Sequence, residues 1–328
     1  MRPEFWQDRT VLVTGHTGFK GGWLSLWLQR LGARLHGYAL PPATDPAIFS
    51  AARIAEQMNH IEGDIRDLPH LRSVMDAAQP EIIFHLAAQA LVRQSYREPV
   101  ETLTSNVLGT ANVLEAARHT PSVKAIVVVT SDKCYDNREW LWPYRENEAL
   151  GGRDPYSASK ACAEIVTAAW RDSFLQKQGI AVASARAGNV IGGGDWSADR
   201  LVPGALHAWQ HGMPLTVRQP HAVRPWQHVL EPLAGYLILA ENLCQGTSAG
   251  AWNFGPADTD MHAVGALLDR MARQWGKDAT WRTEDGEHPH EAGLLRLDSS
   301  KARQVLGWQP RYDLEQALEL TLDWHRRW

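Results

Sequence analysis

Val11-Leu-Val-Thr14 runs directly into Gly15-His-Thr-Gly18-Phe-Lys-Gly21. A short apolar, β-rich run feeds a glycine-spaced turn, and Trp23 to Leu31 then carries apolar residues at helical spacing. This strand–turn–helix context is what a dinucleotide-binding turn demands. The glycines let the backbone approach a pyrophosphate, whose charge sits at the N-terminus of the following helix. Gly15, Thr17, Gly18, Phe19, Lys20 and Gly21 are therefore candidate cofactor contacts.

Outward from this turn, strands alternate with helices. Strands are expected at Arg34–Leu40, Ile61–Asp64, Glu81–Ala87, Lys124–Thr130 and Ile180–Arg186, and helices at Leu68–Ala78, Pro99–Arg118 and Tyr156–Gln178. Regular βα alternation predicts an α/β fold with a Rossmann-like doubly wound parallel sheet. Beyond Gly188 the pattern loosens into Gly192-Gly-Gly194, scattered proline and tryptophan, and shorter elements. The expected organisation is a dinucleotide-binding domain over residues 1–187, completed by segments near 225–256. A smaller, discontinuous substrate-binding domain then occupies mainly 188–328.

The chemistry concentrates in two segments, Ser131-Asp-Lys133 after the Lys124–Thr130 strand and Tyr156-Ser-Ala-Ser-Lys160. A tyrosine and a lysine four apart share one helix face. The Lys160 ammonium is then expected to favour the Tyr156 phenolate, pulling its pKa down from about 10 toward working pH. Such a tyrosine is a general base for an alcohol proton. Ser131 would share the substrate oxygen, while Asp132 and Lys133 add an acid–base pair that simple alcohol oxidation does not require. Ligands in open α/β sheets bind beyond the carboxyl ends of strands, which is where Ser131 and His85-Leu-Ala-Ala-Gln89 fall. Ala87 and Ala88 are small enough for a cofactor to lie against the backbone. His85 reads as a satisfied, half-buried histidine. Asp64 suits either an adenine or ribose contact or a helix N-cap, and Asn106 either braces a neighbouring loop or faces solvent.

Composition narrows the class. The 328 residues suffice for two domains with a buried core, and the 44% hydrophobic and 21% charged content is ordinary for a globular protein. A net charge of −4 gives no basic footprint, so nucleic acid is not an expected partner. The three cysteines match no metal spacing, no metal is expected, and reduced cytoplasmic thiols are the economical reading. Cys134 reads as a packing residue. No apolar stretch approaches the ~20 residues of a membrane span, and the N-terminus lacks a signal-peptide core, so no membrane partner is expected. Most of the 15 tryptophans should pack in the core or the substrate domain, with a few stacking on a base.

Thr14–Gly21, Gly63-Asp64, His85–Ala88, Ser131–Lys133 and Pro155–Lys160 together resemble the extended short-chain dehydrogenase/reductases that act on nucleotide sugars, the NAD-dependent epimerase/dehydratase family. Arg186-Ala-Gly-Asn189, Leu201-Val-Pro203 and Arg224-Pro-Trp-Gln-His228 resemble that family's substrate-side signatures, so the likeness spans the chain. Within the family it is greatest to the 4,6-dehydratases that take CDP-glucose, on Lys133, the Ala39-Leu-Pro-Pro42 loop and the Arg224–His228 run. The relatives acting on dTDP-glucose carry Glu in place of Lys133. The resemblance implies NAD as cofactor, with Asp64, Ile65, Leu86, Ala87, Ala88, Asn106, Tyr156 and Lys160 joining the glycine turn around it. It implies oxidation at sugar carbon 4, water loss across carbons 5 and 6, and hydride return to carbon 6. Tyr156 would take the 4-hydroxyl proton and Asp132 would protonate the departing 6-hydroxyl. Lys133 would remove the carbon 5 proton if burial beside Lys160 lowered its pKa, and would otherwise position the sugar.

The residues alone leave NAD against NADP open, because Gly37-Tyr-Ala-Leu-Pro41 ends the second strand without the usual ribose-binding carboxylate and without a following Arg. For a nucleotide diphosphate, Arg218 and Arg224 are candidate pyrophosphate clamps or solvated surface arginines. Asn189 is a pyrophosphate donor or a turn residue, Val202 and Pro203 would flank the base, and Gln89, Arg93 and Ser95 would face the glucose. Three readings stay open: a 4,6-dehydratase, a 4-epimerase of the same architecture, and a non-catalytic NAD-binding protein. The family also pairs the Pro99–Arg118 and Tyr156–Gln178 helices between subunits, implying a homodimer or homotetramer through a helix bundle. Leu114, Val166 and Trp170 would line that seam or face the sheet.

Overall fold

The computed structural model describes residues 1–257, 260–276, 279–284 and 292–328. Twelve strands occur among them. β1 (Thr10–Thr14), β2 (Arg34–Ala39), β3 (Asn59–Glu62), β4 (Ile82–His85), β5 (Ala125–Val129) and β6 (Ala181–Ala187) come first. β7 (Asn189–Ile191), β8 (Leu215–Val217), β9 (Val223–His228), β10 (Gly250–Phe254), β11 (Met261–Ala263) and β12 (Trp281–Thr283) follow. Seven of them form one sheet in the order β10-β6-β5-β4-β1-β2-β3, with every pairing parallel. The order reverses between β1 and β4, and ligands of such sheets bind at that switch point.

Burial on both faces explains the composition of the central strands. All five residues of β5, Ala-Ile-Val-Val-Val, are buried. One face packs against the helices Phe19–Arg30 and Leu230–Leu243, with Leu24, Leu28, Leu233, Tyr236 and Trp252 in the contact. The other face packs against Leu68–Ala78 and the two long helical segments through Leu71, Met75, Val113 and Leu114.

Both long segments are interrupted. Pro99–Leu103 passes through a π turn, Thr104–Leu108, into Gly109–Arg118, and Pro155–Trp170 continues through a π turn at Arg171–Leu175 to end at Gln178. Single π turns of this kind tend to fall where a side chain must be re-aimed, and here the first contains Asn106. The dinucleotide helix starts at Phe19, four residues before the apolar periodicity, because Gly21 and Gly22 are too small to register in it.

The remaining strands build a second lobe, a three-stranded sheet β11-β9-β7 and a two-stranded pair β12-β8. The helices Leu201–Gln210, Val264–Trp275 and Leu314–Arg327 pack with them around Val202, Leu206, Leu268, Leu318 and Leu322. Cys134 is fully buried in a small cluster with Tyr135, Tyr144 and Leu297. Trp6, Trp252 and Trp308 are core residues, whereas Trp142 and Trp328 are exposed. Among the described residues no helix is long and apolar enough to cross a membrane.

Among the described residues four histidines, His16, His85, His228 and His325, are buried. His85 is fully buried, not half-buried, and it is satisfied: its ring nitrogens meet Thr14 Oγ1 at 2.7 Å and Thr110 Oγ1 at 3.1 Å. Burial lowers its pKa to about 3 and those of the other three to about 4. Unfolded histidines protonate near 6.5, so below that pH the unfolded chain binds more protons and the folded state loses stability. Each group costs on the order of 1–2 kcal/mol by pH 5. The buried acids Asp132, Glu231 and Asp260, with raised pKa values, carry the opposite slope. We expect the histidines to prevail, so that Tm falls between pH 7 and pH 5 in differential scanning calorimetry. A Tm that stays flat or rises over that interval would contradict it.

Candidate active site

The carboxyl ends of β1, β4 and β5 and the second lobe enclose a cavity of about 1650 Å³. That is large enough for two ligands, since a single small-molecule site usually occupies ~300–1,000 Å³. Gly15, Thr17, Gly18, Phe19, Lys20 and Gly21 line one end. Gly15 has φ +75°, and a Cβ there would lie 2.6 Å from the Ala87 nitrogen. A Cβ on Gly21 would overlap the Gly15 carbonyl oxygen. The turn thus packs backbone on backbone, and Gly18 caps the helix without a side chain over its first amides. A pyrophosphate fits such a helix N-terminus. Thr17 Oγ1 donates to Leu40 O at 2.9 Å, tying the turn to the loop after β2, where Ala39, Leu40 and Pro41 line the cavity.

Asp64 also lines this end. It does not cap the helix Leu68–Ala78; Asp67 does, accepting from His70 N. Asp64 instead pairs with Arg66 at 2.5 Å, which holds its carboxyl below the usual range, and Arg66 reaches Glu101 at 2.5 Å. Ile65, Leu86, Ala87 and Ala88 complete the wall. Asn106 is buried and is not part of it. Its Oδ1 accepts from Gln89 N at 2.8 Å, and its Nδ2 donates to Gln89 O at 2.9 Å and Ser159 Oγ at 2.8 Å. It braces the loop after β4, with both hydrogens of its amide engaged.

At the centre, Ser131, Asp132, Lys133, Tyr156 and Lys160 all face the cavity. Ser131 Oγ donates to Asp132 Oδ1 at 3.0 Å and accepts from Lys133 N at 3.2 Å. Asp132 Oδ2 is buried with no partner. Burial raises the Asp132 pKa, against the opposing pull of Lys133, Ser131, Arg224 and Lys20. Lys133 is only half-buried, so the burial expected of it is missing. Lys20 is also held close to this group: burial, Arg200 and Lys160 lower its pKa to about 7.

The expected depression of Tyr156 is not found. Burial pushes its phenol up to about 12, only partly offset by the Ser131 hydrogen bond. Lys160 is itself desolvated, its pKa lowered to about 8, and it donates to Val129 O at 3.4 Å. The groups that pull the Tyr156 phenol down are Ser131 and Arg200, and the loss of water outweighs both.

On the substrate side Gln89, Arg93, Asn189, Val202, Pro203, Arg218 and Arg224 line the cavity and Ser95 does not. Ser95 is buried with its hydroxyl given to Val92 O at 2.6 Å. The Gln89 amide is engaged with Leu91 and Thr102, and Arg93 pairs with Asp199 at 2.8 Å. Arg224 is buried on β9 close enough to Asp132 to lower its pKa, which removes the surface reading. One pair escaped the sequence reading, Asp195 with Arg200 at 2.9 Å, in the loop after Gly192-Gly-Gly194. Its signal was an arginine adjoining the Leu201-Val-Pro203 motif.

The GDP-mannose 4,6 dehydratase family model matches residues 12–321. The CDP-glucose 4,6-dehydratase of Salmonella typhimurium is 50% identical, over 99% of this chain and 92% of its own length. The dTDP-glucose 4,6-dehydratase of Streptomyces antibioticus is 30% identical, over 96% of this chain and 92% of its own length. Among solved structures, the UDP-glucose 4-epimerase of Stenotrophomonas maltophila with bound NAD and formylated UDP-arabinopyranose superposes with a TM-score of 0.86 at 22% identity, covering 98% of both chains. That last likeness concerns the fold.

A methyl group at Gly21 tests the turn. Gly21→Ala should separate the Phe19–Arg30 helix from β1, costing ~1–3 kcal/mol as overpacking does. NAD retention on gel filtration should drop at least tenfold. Unchanged retention would place the dinucleotide elsewhere.

Proposed function

The chain belongs to the GDP-mannose 4,6 dehydratase family, and from that premise we propose that it converts CDP-glucose to CDP-4-keto-6-deoxyglucose with NAD as cofactor. The observation that carries this reading is Asp132: a buried carboxyl with one unpartnered oxygen and a raised pKa, beside Ser131 and facing the cavity. Burial favours the protonated form of such a group, and an epimerase has no leaving water to give that proton to. The 50% identical relative is a CDP-glucose enzyme, which supports the choice of nucleotide.

The glycine turn, Asp64, Ile65 and Leu86–Ala88 would hold the dinucleotide, with Asn106 supporting the loop that carries those alanines. When bound, NAD would supply the hydride chemistry at sugar carbons 4 and 6. Tyr156 removes the 4-hydroxyl proton, and Ser131 donates a hydrogen bond to the oxygen on carbon 4. The resulting ketone acidifies the carbon 5 proton. A basic group of the cavity wall takes that proton as Asp132 protonates the 6-hydroxyl and the carbon–oxygen bond breaks to release water, and the same group later returns a proton to carbon 5. Proton return to carbon 5 and hydride return to carbon 6 complete the product, so water is the net loss. Arg224, Arg218 and Asn189 would hold the diphosphate, Val202 and Pro203 the base. Lys133, half-exposed at the cavity wall, positions the sugar.

Substrate deuterated at carbon 4 should give product deuterated at carbon 6, and unlabelled substrate in heavy water should gain deuterium at carbon 5. Asp132→Asn should slow water loss by ~10²–10⁴-fold, the usual range for a lost general acid, while the 4-keto glucose accumulates. Product with its 6-hydroxyl intact and carbon 4 inverted would make this an epimerase.

The chain is also proposed to pair with a second copy through its two long helices. Leu114 is core, and Val166 and Trp170 pack against the same sheet-facing cluster, so they do not form the seam. The outward residues are Val100 (71% exposed), Leu103 (40%), Leu108 (50%), Ile165 (57%) and Phe174 (38%). Exposed apolar residues on two helical segments that pack against each other favour an interaction surface there. Ile165→Arg should convert a dimer or tetramer into smaller species in analytical ultracentrifugation at micromolar concentration. A wild-type monomer under those conditions would refute the pairing.

A further inference from the structure

Tyr156 and Lys160 share their helix face with a third buried residue, Glu164, four positions further on and 4% exposed. Its carboxylate collects three donors. Thr130 Oγ1 reaches Oε1 at 2.5 Å, and Ser184 Oγ and Arg186 Nη2 reach Oε2 at 2.6 Å and 2.7 Å. Each donor comes from an element that carries part of the site. Thr130 immediately precedes Ser131, and Ser184 and Arg186 lie on β6, which leads to Asn189. Arg186 is anchored in turn: its Nη1 donates to Tyr135 OH at 2.7 Å and Glu146 O at 3.1 Å.

We propose that Glu164 is the positioning residue of the catalytic helix, locking it to the ends of β5 and β6 and supplying the counter-charge of the Lys160 ammonium. The proposal rests on the assignment of Tyr156 and Lys160 to the reaction. The groups facing Lys160 are few. Glu164 and Tyr156 lie on its own helix, Asp132 and Cys134 on the turn after β5, Arg186 on β6 against Glu164, His85 at the end of β4 and Lys20 on the dinucleotide helix. His85 is neutral near pH 7, with its pKa at about 3, and the Cys134 thiol is pushed well above its usual value. Lys20 is of like sign. Among the described residues Glu164, ion-paired with Arg186 at 2.7 Å, is thus the carboxylate that favours the protonated Lys160 amine against the burial that opposes it. Removing that carboxylate should lower the pH at which Lys160 loses its proton.

A neutral residue at 164 would also strand Arg186 in the interior, which by itself can unfold a protein. The experiment therefore compares Glu164→Gln with the double variant Glu164→Gln/Arg186→Met, in which both buried charges are gone, and with Glu164→Asp, which keeps the charge. The Lys160 side-chain amine is titrated by NMR in lysine-labelled protein, its signal identified by its loss in Lys160→Met. In the double variant the Lys160 midpoint should fall by at least one pH unit from about 8, whereas Glu164→Asp should stay within half a unit of wild type. The alkaline limb of kcat for dehydration should move by the same amount, with KM changed less than threefold. A uniform loss of kcat with the limb and the Lys160 midpoint unmoved would make Glu164 a structural tie and overturn the proposal. So would a double variant that does not fold. A wild-type protein whose Lys160 titrates as described, but which does not dehydrate CDP-glucose, would sink the functional reading and leave this electrostatic role standing.

Discussion

Tyr156, Lys160 and Glu164 lie on one face of a helix pressed against β5 and β6, and that face is dry. A charge placed there cannot be screened by water, so it needs an opposite charge or converging donors within a few ångströms. The surroundings follow from this requirement. Glu164 takes Thr130, Ser184 and Arg186; Arg186 takes Tyr135, which takes Asn253 on β10. One buried carboxylate thereby links the catalytic helix to three neighbouring strands of the sheet, and the geometry of the reactive groups is inherited from that link.

The parallel sheet then divides the labour by position. β1 and β4 flank the switch point and present the glycine turn and the Leu86–Ala88 loop; β5, next to β4, presents Ser131 and Asp132. The second lobe closes the cavity from the other side with Asn189, the Leu201–Gln210 helix and Arg224. Two kinds of ligand can meet in one enclosed space because the dinucleotide end is built from close backbone approach and the substrate end from cations and polar side chains. The first needs glycine and alanine, the second arginine and asparagine, and the sequence distributes them accordingly.

Features set by local chain properties were legible without the structure. The glycine turn, the buried β5 run, the Leu68–Ala78 helix with its bounds, and the facing of Ser131, Asp132, Tyr156 and Lys160 into one site all follow from spacing along the chain. What failed was set by tertiary surroundings. The Tyr156 pKa moves up because burial strips water from its phenol, which four-residue spacing cannot reveal. Asp64 lost its capping role to Asp67, three residues nearer the helix body, and Arg66 between them was invisible until it paired with Asp64 and Glu101. Leu114 and Ile165 read alike as apolar helix residues, yet one is core and the other faces solvent. The π turns alter the phase on which that choice depends. Glu164 was overlooked because a lone glutamate after a Tyr-x-x-x-Lys pair looks like a solvated residue until its burial is known.

The two reactive protons are coupled in a way that suits water elimination. Tyr156, its phenol pushed up to about 12, holds its proton in the resting site, and burial shifts Asp132 toward its protonated form as well. A neutral phenol cannot accept the 4-hydroxyl proton, so forming the phenolate is the step this environment makes costly. A charge on Asp132 adds to that cost, since it raises the Tyr156 pKa further, whereas the Ser131 hydrogen bond and Arg200 lower it. By linkage, each proton kept on Asp132 makes the proton on Tyr156 easier to remove, and a phenolate at Tyr156 makes Asp132 harder to ionise. The state in which the base is most easily formed is therefore the one in which the acid is loaded. Burial of an unpartnered carboxyl beside the tyrosine, which simple alcohol oxidation would not need, thus favours the protonated acid, and a neutral Asp132 removes one part of the cost that burial places on the phenolate.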